Sequence, residues 1–198
     1  MNKFRIDALK EIGNIGASHA ANSLSQLLGT KVEIQVPEFD TLPVNRLEAL
    51  WGKEEEIIGV HSQLRDSLSA TMVLLFPLRD SQTLTGILTG GEVEGSVLSD
   101  LEMSAVQEVG NIMMSAFANA LSDFLSLKIM LTPSIIIKGS PSSLVHTVFG
   151  ETSDEAIFFT TAFRASSAEI RGHLILLPDP GASDIIFAAI RKRYGLAE

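Results

Sequence analysis

The chain has 198 residues, 45% of them hydrophobic, and a formal net charge of −9. That apolar content supports a packed core and excludes a disordered chain, while the acidic balance excludes a phosphate-gripping nucleic-acid binder. With no cysteine, disulfides, thiolate nucleophiles and zinc–thiolate sites are excluded together.

Taken in order, the chain opens with a helical pattern from Lys3 to Leu28, with Gly29 as its stop. No apolar signal-peptide centre precedes it, and no run reaches the roughly eighteen apolar residues of a membrane span. These readings predict a soluble, cytoplasmic protein without membrane insertion. Lys31 to Val36 alternates as a strand that Pro37 closes. Trp51 reads as a half-buried anchor. Strands follow near Glu56 to Ser62 and Ser69 to Phe76, then a short helix over Ser81 to Leu88. Thr89 to Gly95 reads as a seam.

The second part opens with Ser99 and Glu102, spaced as a capping box for a helix ending near Leu125. Lys128 to Leu131 is a short strand before Pro133, and Gly139 to Ser143 reads as a turn. Strands near Ala156 to Phe163 and Glu169 to Leu177 precede a helix over Ser183 to Tyr194. Arg191, Lys192 and Arg193 suit that helix's C-terminal end.

The two parts are copies. Shifting the chain by 97 positions lays Asp7–Lys31 on Ser104–Lys128 without a gap, and 12 of the 25 positions are identical. The expectation is one domain, 1–198, made of two repeats (about 1–95 and 96–198). Short links between successive strands imply a mainly antiparallel sheet, hence an α+β fold with pseudo-twofold symmetry and both long helices on one face.

Around the first helix, Asp7, Glu11, Asn14, Ser18, Asn22 and Ser25 share an arc of about 80°. Leu9, Gly13, Gly16, Ala20, Leu24 and Leu27 lie opposite. The second helix repeats the stripe with Ser104, Glu108, Asn111, Ser115, Asn119 and Ser122. A solvated stripe is ordinarily rich in Lys, Arg and Glu, which favour helix, whereas Asn and Ser do not. Glu and Asn three apart project from one side of a helix. A carboxylate pairs with an ammonium group, and a carboxamide, both donor and acceptor, orients a water. Such a pair acts by positioning rather than covalent attack. The run around Gly13 and Gly16 lacks the Lys and Ser/Thr of a phosphate loop, so these glycines are expected to permit close packing. His19, His61, His146 and His173 show no paired-ligand spacing, and no metal site is expected.

The pattern Asp7, Glu11, Asn14, Pro37 recurs as Ser104, Glu108, Asn111, Pro133, with 22 residues between Asn and Pro in the first copy and 21 in the second. Together with Glu11-Ile12-Gly13-Asn14 and Glu108-Val109-Gly110-Asn111, it resembles the CheC, CheX and FliY family of chemotaxis phosphatases. Two copies in so short a chain match the CheC-type branch.

The resemblance implies hydrolysis of the phosphoaspartate of phosphorylated CheY. It implies that Glu11 and Glu108 dock the partner and that Asn14 and Asn111 orient the attacking water. Asp7, Ser104, Pro37 and Pro133 support the motif. The chain brings no cofactor of its own, and Mg²⁺ is expected on the partner regulator. CheD is a further expected partner. The alternatives are a module that sequesters CheY-phosphate or regulates CheD without hydrolysis, and a structural relative of the flagellar switch.

Overall fold

The computed structural model describes residues 3–52, 55–91, 97–150, 155–165 and 168–195. The long helices span Lys3–Leu28 (α1) and Asp100–Leu125 (α3), as their periodicity predicts. Gly29 takes the left-handed conformation (φ 62°) that ends α1. The box at α3 is formed: Ser99 Oγ accepts from the Glu102 N–H, and Glu102 Oε2 accepts from the Ser99 N–H at 2.6 Å.

The strands are β1 (Val32–Pro43), β2 (Ile57–Asp66), β3 (Ala70–Pro77), β4 (Ile129–Leu131), β5 (Ile135–Gly139), β6 (Glu155–Ala165) and β7 (Ala168–Pro178). The shorter helices are α2 (Leu78–Thr89), α4 (Pro141–Phe149) and α5 (Ala182–Arg193). All pairings are antiparallel, in one sheet of order β1-β6-β7-β3-β2-β4, with β5 also on β2. The order is symmetric about β7 and β3. Each repeat's first strand pairs with a strand of the other repeat, β1 with β6 and β4 with β2, and β2 and β6 occupy equivalent places in the order.

Alternation along the central strands divides the core between the two faces. Met72, Leu74 and Phe76 point to the side of α1, α2, α3 and α5, whereas Val73 and Leu75 point to the other. There a 3₁₀ segment (Val44–Leu50), Trp51 and α4 cover the sheet. Trp51 is buried rather than half-buried, its ring 5.0 Å from that of His173 in a T-shaped contact. Fully burying a large apolar side chain is worth about 1.5–3 kcal/mol. Core contacts by Leu9, Ile12, Leu24, Phe117 and Phe124 therefore outweigh the weak helix propensity of the Gly, Asn and Ser between them.

Three further local expectations change. Pro37 does not close β1, which continues to Pro43; the register shifts between Gln35 and Glu38, and β1 is an edge strand, where proline is tolerated. Gly139 to Ser143 is no simple turn. Ser140 caps α4 and Pro141 opens it, a helix start in which proline's missing N–H costs nothing. Leu27 is 51% exposed, although the helical wheel puts it on the apolar side. The seam ends α2 at Gly90 (φ 72°), and its later part, 92–95, lies outside the described residues.

Candidate functional site

The glycines decide how the motif is presented. A Cβ on Gly13 would meet the Phe159 ring of β6 at 3.0 Å, and one on Gly110 would meet Val60 Cγ2 of β2 at 2.5 Å. Equivalent helix positions thus rest on equivalent strands, β6 and β2, each belonging to the other repeat. A Cβ on Gly16 would likewise meet Phe117 of α3, at 2.9 Å from Cγ. Because Gly faces the sheet, the Glu two residues before and the Asn one residue after turn outward at about 100° per residue. Glu11, Asn14 and Glu108 are exposed and Asn111 is half-buried. Within each pair, Glu and Asn are one turn apart, with an axial rise of about 4.5 Å.

Around the first pair, Asp7, Lys10, Glu11, Asn14, Ile15, Ser18 and His19 line a shallow depression of about 490 Å³. A second hollow of about 380 Å³ lies where the helices meet, between His19, Asn22 and Ser23 of α1 and Ile112, Ser115, Ala116 and Asn119 of α3. Gly16 of α1 rests on Phe117 of α3, and Tyr194 touches both Glu11 and Phe124, so numbers fall along α1 as they rise along α3 and the helices are antiparallel. The Glu–Asn pairs consequently lie toward opposite ends of one helical layer.

The stripe is not uniform in role. Ser25 Oγ donates to the Ala21 carbonyl (2.7 Å) and accepts from the Val32 N–H (2.8 Å), tying the end of α1 to β1. Its counterpart Ser122 donates to the Leu127 carbonyl at 2.6 Å. These serines stabilise the helix ends. Asp7 is exposed within the depression, whereas Ser104 donates to the Asp100 carbonyl at 2.9 Å. Pro133 follows a segment held to β2 by bonds that Ser62 Oγ donates to the Thr132 carbonyl and the Gln63 N–H donates to the Thr132 hydroxyl. Pro37 lies at the register shift of β1, next to Val36, whose Cγ1 is 3.7 Å from where a Cβ on Gly13 would stand.

The two pairs have different neighbours. Gln107, before Glu108, donates its amide to the Ser134 carbonyl at 2.8 Å. The corresponding residue before Glu11 is Lys10, an exposed cation. Tyr194, just past α5, donates its hydroxyl to Glu11 Oε2 at 2.8 Å, and the carboxylate holds that hydroxyl's pKa above its ordinary value. Sequence periodicity offers no signal for this contact, since the partners are 183 residues apart.

The pairs can orient water and receive a cation. No thiol exists in the chain. Among the described residues no cluster of three or more His, Asp or Glu could hold a metal, and no helix is long and apolar enough to cross a membrane. A larger cavity, about 560 Å³, opens on the opposite sheet face between Trp51, Asp80 and His173. Its charged wall is already paired, Glu169 bridging Arg164 (2.8 Å) and Arg171 (3.3 Å), and it contains no motif residue.

Comparison with known proteins bears on this geometry. The CheC-like family matches residues 4–39 and 101–137, the ranges that carry the two motifs. CheC1 of Halobacterium salinarum is 29% identical over 177 residues, covering 88% of this chain and 90% of its own. The CheY-P phosphatase CheC of Bacillus subtilis is 25% identical over 197 residues, covering 94% and 93%. The crystal structure of Thermotoga maritima FliY superposes with a TM-score of 0.82 at 21% identity over 98% of both chains, which shows a shared fold.

Proposed function

We propose that this chain is a CheC-like phosphatase of a phosphorylated chemotaxis response regulator, CheY-P, a reading supported by the family match over both motifs and by the two CheC relatives. The observation that carries the reading is the duplicated outward Glu–Asn pair, one turn apart and backed in each copy by a glycine pressed on the sheet.

In the proposed reaction water attacks phosphorus, the bond to the aspartyl oxygen breaks, and inorganic phosphate and a free carboxylate result. Such transfer needs positioning and charge stabilisation more than covalent participation. Asn14 or Asn111 accepts from the attacking water through its carbonyl and donates to a phosphoryl oxygen through its NH₂, setting the in-line approach. Glu11 or Glu108 receives a lysine ammonium of the regulator, which fixes the docking. Mg²⁺ belongs to the regulator's own acidic site. The chain works in the cytoplasm as one domain of two repeats, and CheD is a second partner in this reading.

The test is phosphate release from phosphorylated regulator with catalytic amounts of the protein. Glu11→Ala with Asn14→Ala, and Glu108→Ala with Asn111→Ala, should each lower turnover, and the fourfold variant should abolish it. Binding without any acceleration by the wild type would leave sequestration or control of CheD as the better account.

A further inference from the structure

We infer that Tyr194 is a positioning residue for the first site: its hydroxyl holds the Glu11 carboxylate ready for the partner's cation, while the second site lacks this support. The inference rests on the proposed function and adds an asymmetry between the copies.

The end of α5 is anchored where this contact requires it. Arg193 Nη1 donates to the Phe124 carbonyl at 3.0 Å, and its guanidinium lies 4.3 Å from the centroid of the Phe124 ring. The Tyr194 ring packs 6.3 Å from the same ring at 51°. Arg193 and Tyr194 thus clamp α5 to the C-terminal end of α3, and antiparallel packing puts that end beside the N-terminal half of α1.

Both ends of the Tyr194–Glu11 bond are exposed, Tyr194 at 43%. Water could satisfy either group, so burial does not force the bond. Its consequence is orientational. Oε2 is engaged while Oε1 stays available as an acceptor, since a carboxylate accepts at both oxygens. A long, freely rotating side chain loses rotamer freedom when it pairs, and a glutamate already held loses less on docking. Tyr194 is the chain's single tyrosine, so no tyrosine can hold Glu108. In the first repeat the corresponding helix, α2, ends at Thr89.

The experiment uses two full-length single-site proteins: a first-site chain (Glu108→Ala, Asn111→Ala) and a second-site chain (Glu11→Ala, Asn14→Ala). Tyr194→Phe is introduced into each, removing the hydroxyl and keeping the ring on Phe124. In the first-site chain KM for phosphorylated regulator should rise by about three- to fivefold with kcat unchanged, the scale of an exposed charge-assisted contact. The second-site chain should not change. An unchanged KM in the first-site chain overturns the inference. So does a fall in KM, which would make Tyr194 a mask over Glu11, or an equal change in both chains, which would make its role structural. If neither single-site chain releases phosphate, the hydrolysis reading fails separately. Affinity for beryllofluoride-loaded regulator then decides: a three- to fivefold loss confined to the first-site chain upholds the inference, and an equal change, no change or no binding overturns it.

Discussion

The Cβ that Gly110 lacks would lie 2.5 Å from Cγ2 and 2.6 Å from Cβ of Val60. Val60 is β-branched, fully buried and paired on both sides, with Leu74 of β3 and Ile136 of β5, so it cannot move aside cheaply. Gly110→Ala should therefore lower stability by about 1–3 kcal/mol through overpacking. Gly13→Ala meets the edge of the Phe159 ring at 3.0 Å and Val36 Cγ1 at an ordinary 3.7 Å. A small ring tilt and a helix-propensity gain of about 1 kcal/mol should leave that variant near neutral. Urea unfolding of both variants checks the contrast, and equal losses would contradict it.

Ser25 and Ser122 belong to the polar stripe yet spend their hydroxyls on the chain itself. Ser25→Ala leaves the Val32 N–H without its side-chain partner and should lower stability by about 1 kcal/mol. Phosphatase activity at a temperature where the variant stays folded should be unchanged. A loss of turnover in the folded variant would put Ser25 in the site.

The cap of α3 is isolated from the chemistry by two helical turns. Ser99→Ala removes the acceptor of the Glu102 N–H and the donor to Glu102 Oε2. The expected cost is about 1 kcal/mol, read as a lower midpoint in urea with the slope unchanged.

Burial pushes the His173 pKa down to about 4, from an ordinary 6.5. Above pH 6.5 both folded and unfolded chains hold it neutral, and it makes no difference. As pH falls from 6.5 toward 4, the unfolded chain takes up a proton that the folded one refuses, so stability falls, by about 3 kcal/mol in total. His61 is lowered by burial in the same direction. His173→Asn should flatten the slope of stability between pH 6.5 and 4 relative to wild type. An unchanged slope would show that His173 is protonated within the fold.

The motif helices were legible because helical periodicity is local. A residue's face follows from its number, and the Ser99 box and Gly29 stop mark boundaries within a few residues. Division of labour along the stripe was not legible, because Ser25 and Asn22 look alike until β1 brings the Val32 N–H to one of them. The place of Pro37 depends on the sheet for a related reason. Proline ends a strand only where its missing donor is needed, and whether β1 lies at an edge depends on the whole sheet.

The sequence by itself determined the duplication, the two long helices and the outward Glu–Asn pairs, since each depends on spacings of three or four residues along one helix. Tertiary structure decided the exchange of first strands between repeats, the glycine contacts with Phe159 and Val60, and the Tyr194–Glu11 bond. These join residues far apart in the chain, and their pairing is selected by the shared burial of a sheet that neither repeat completes alone.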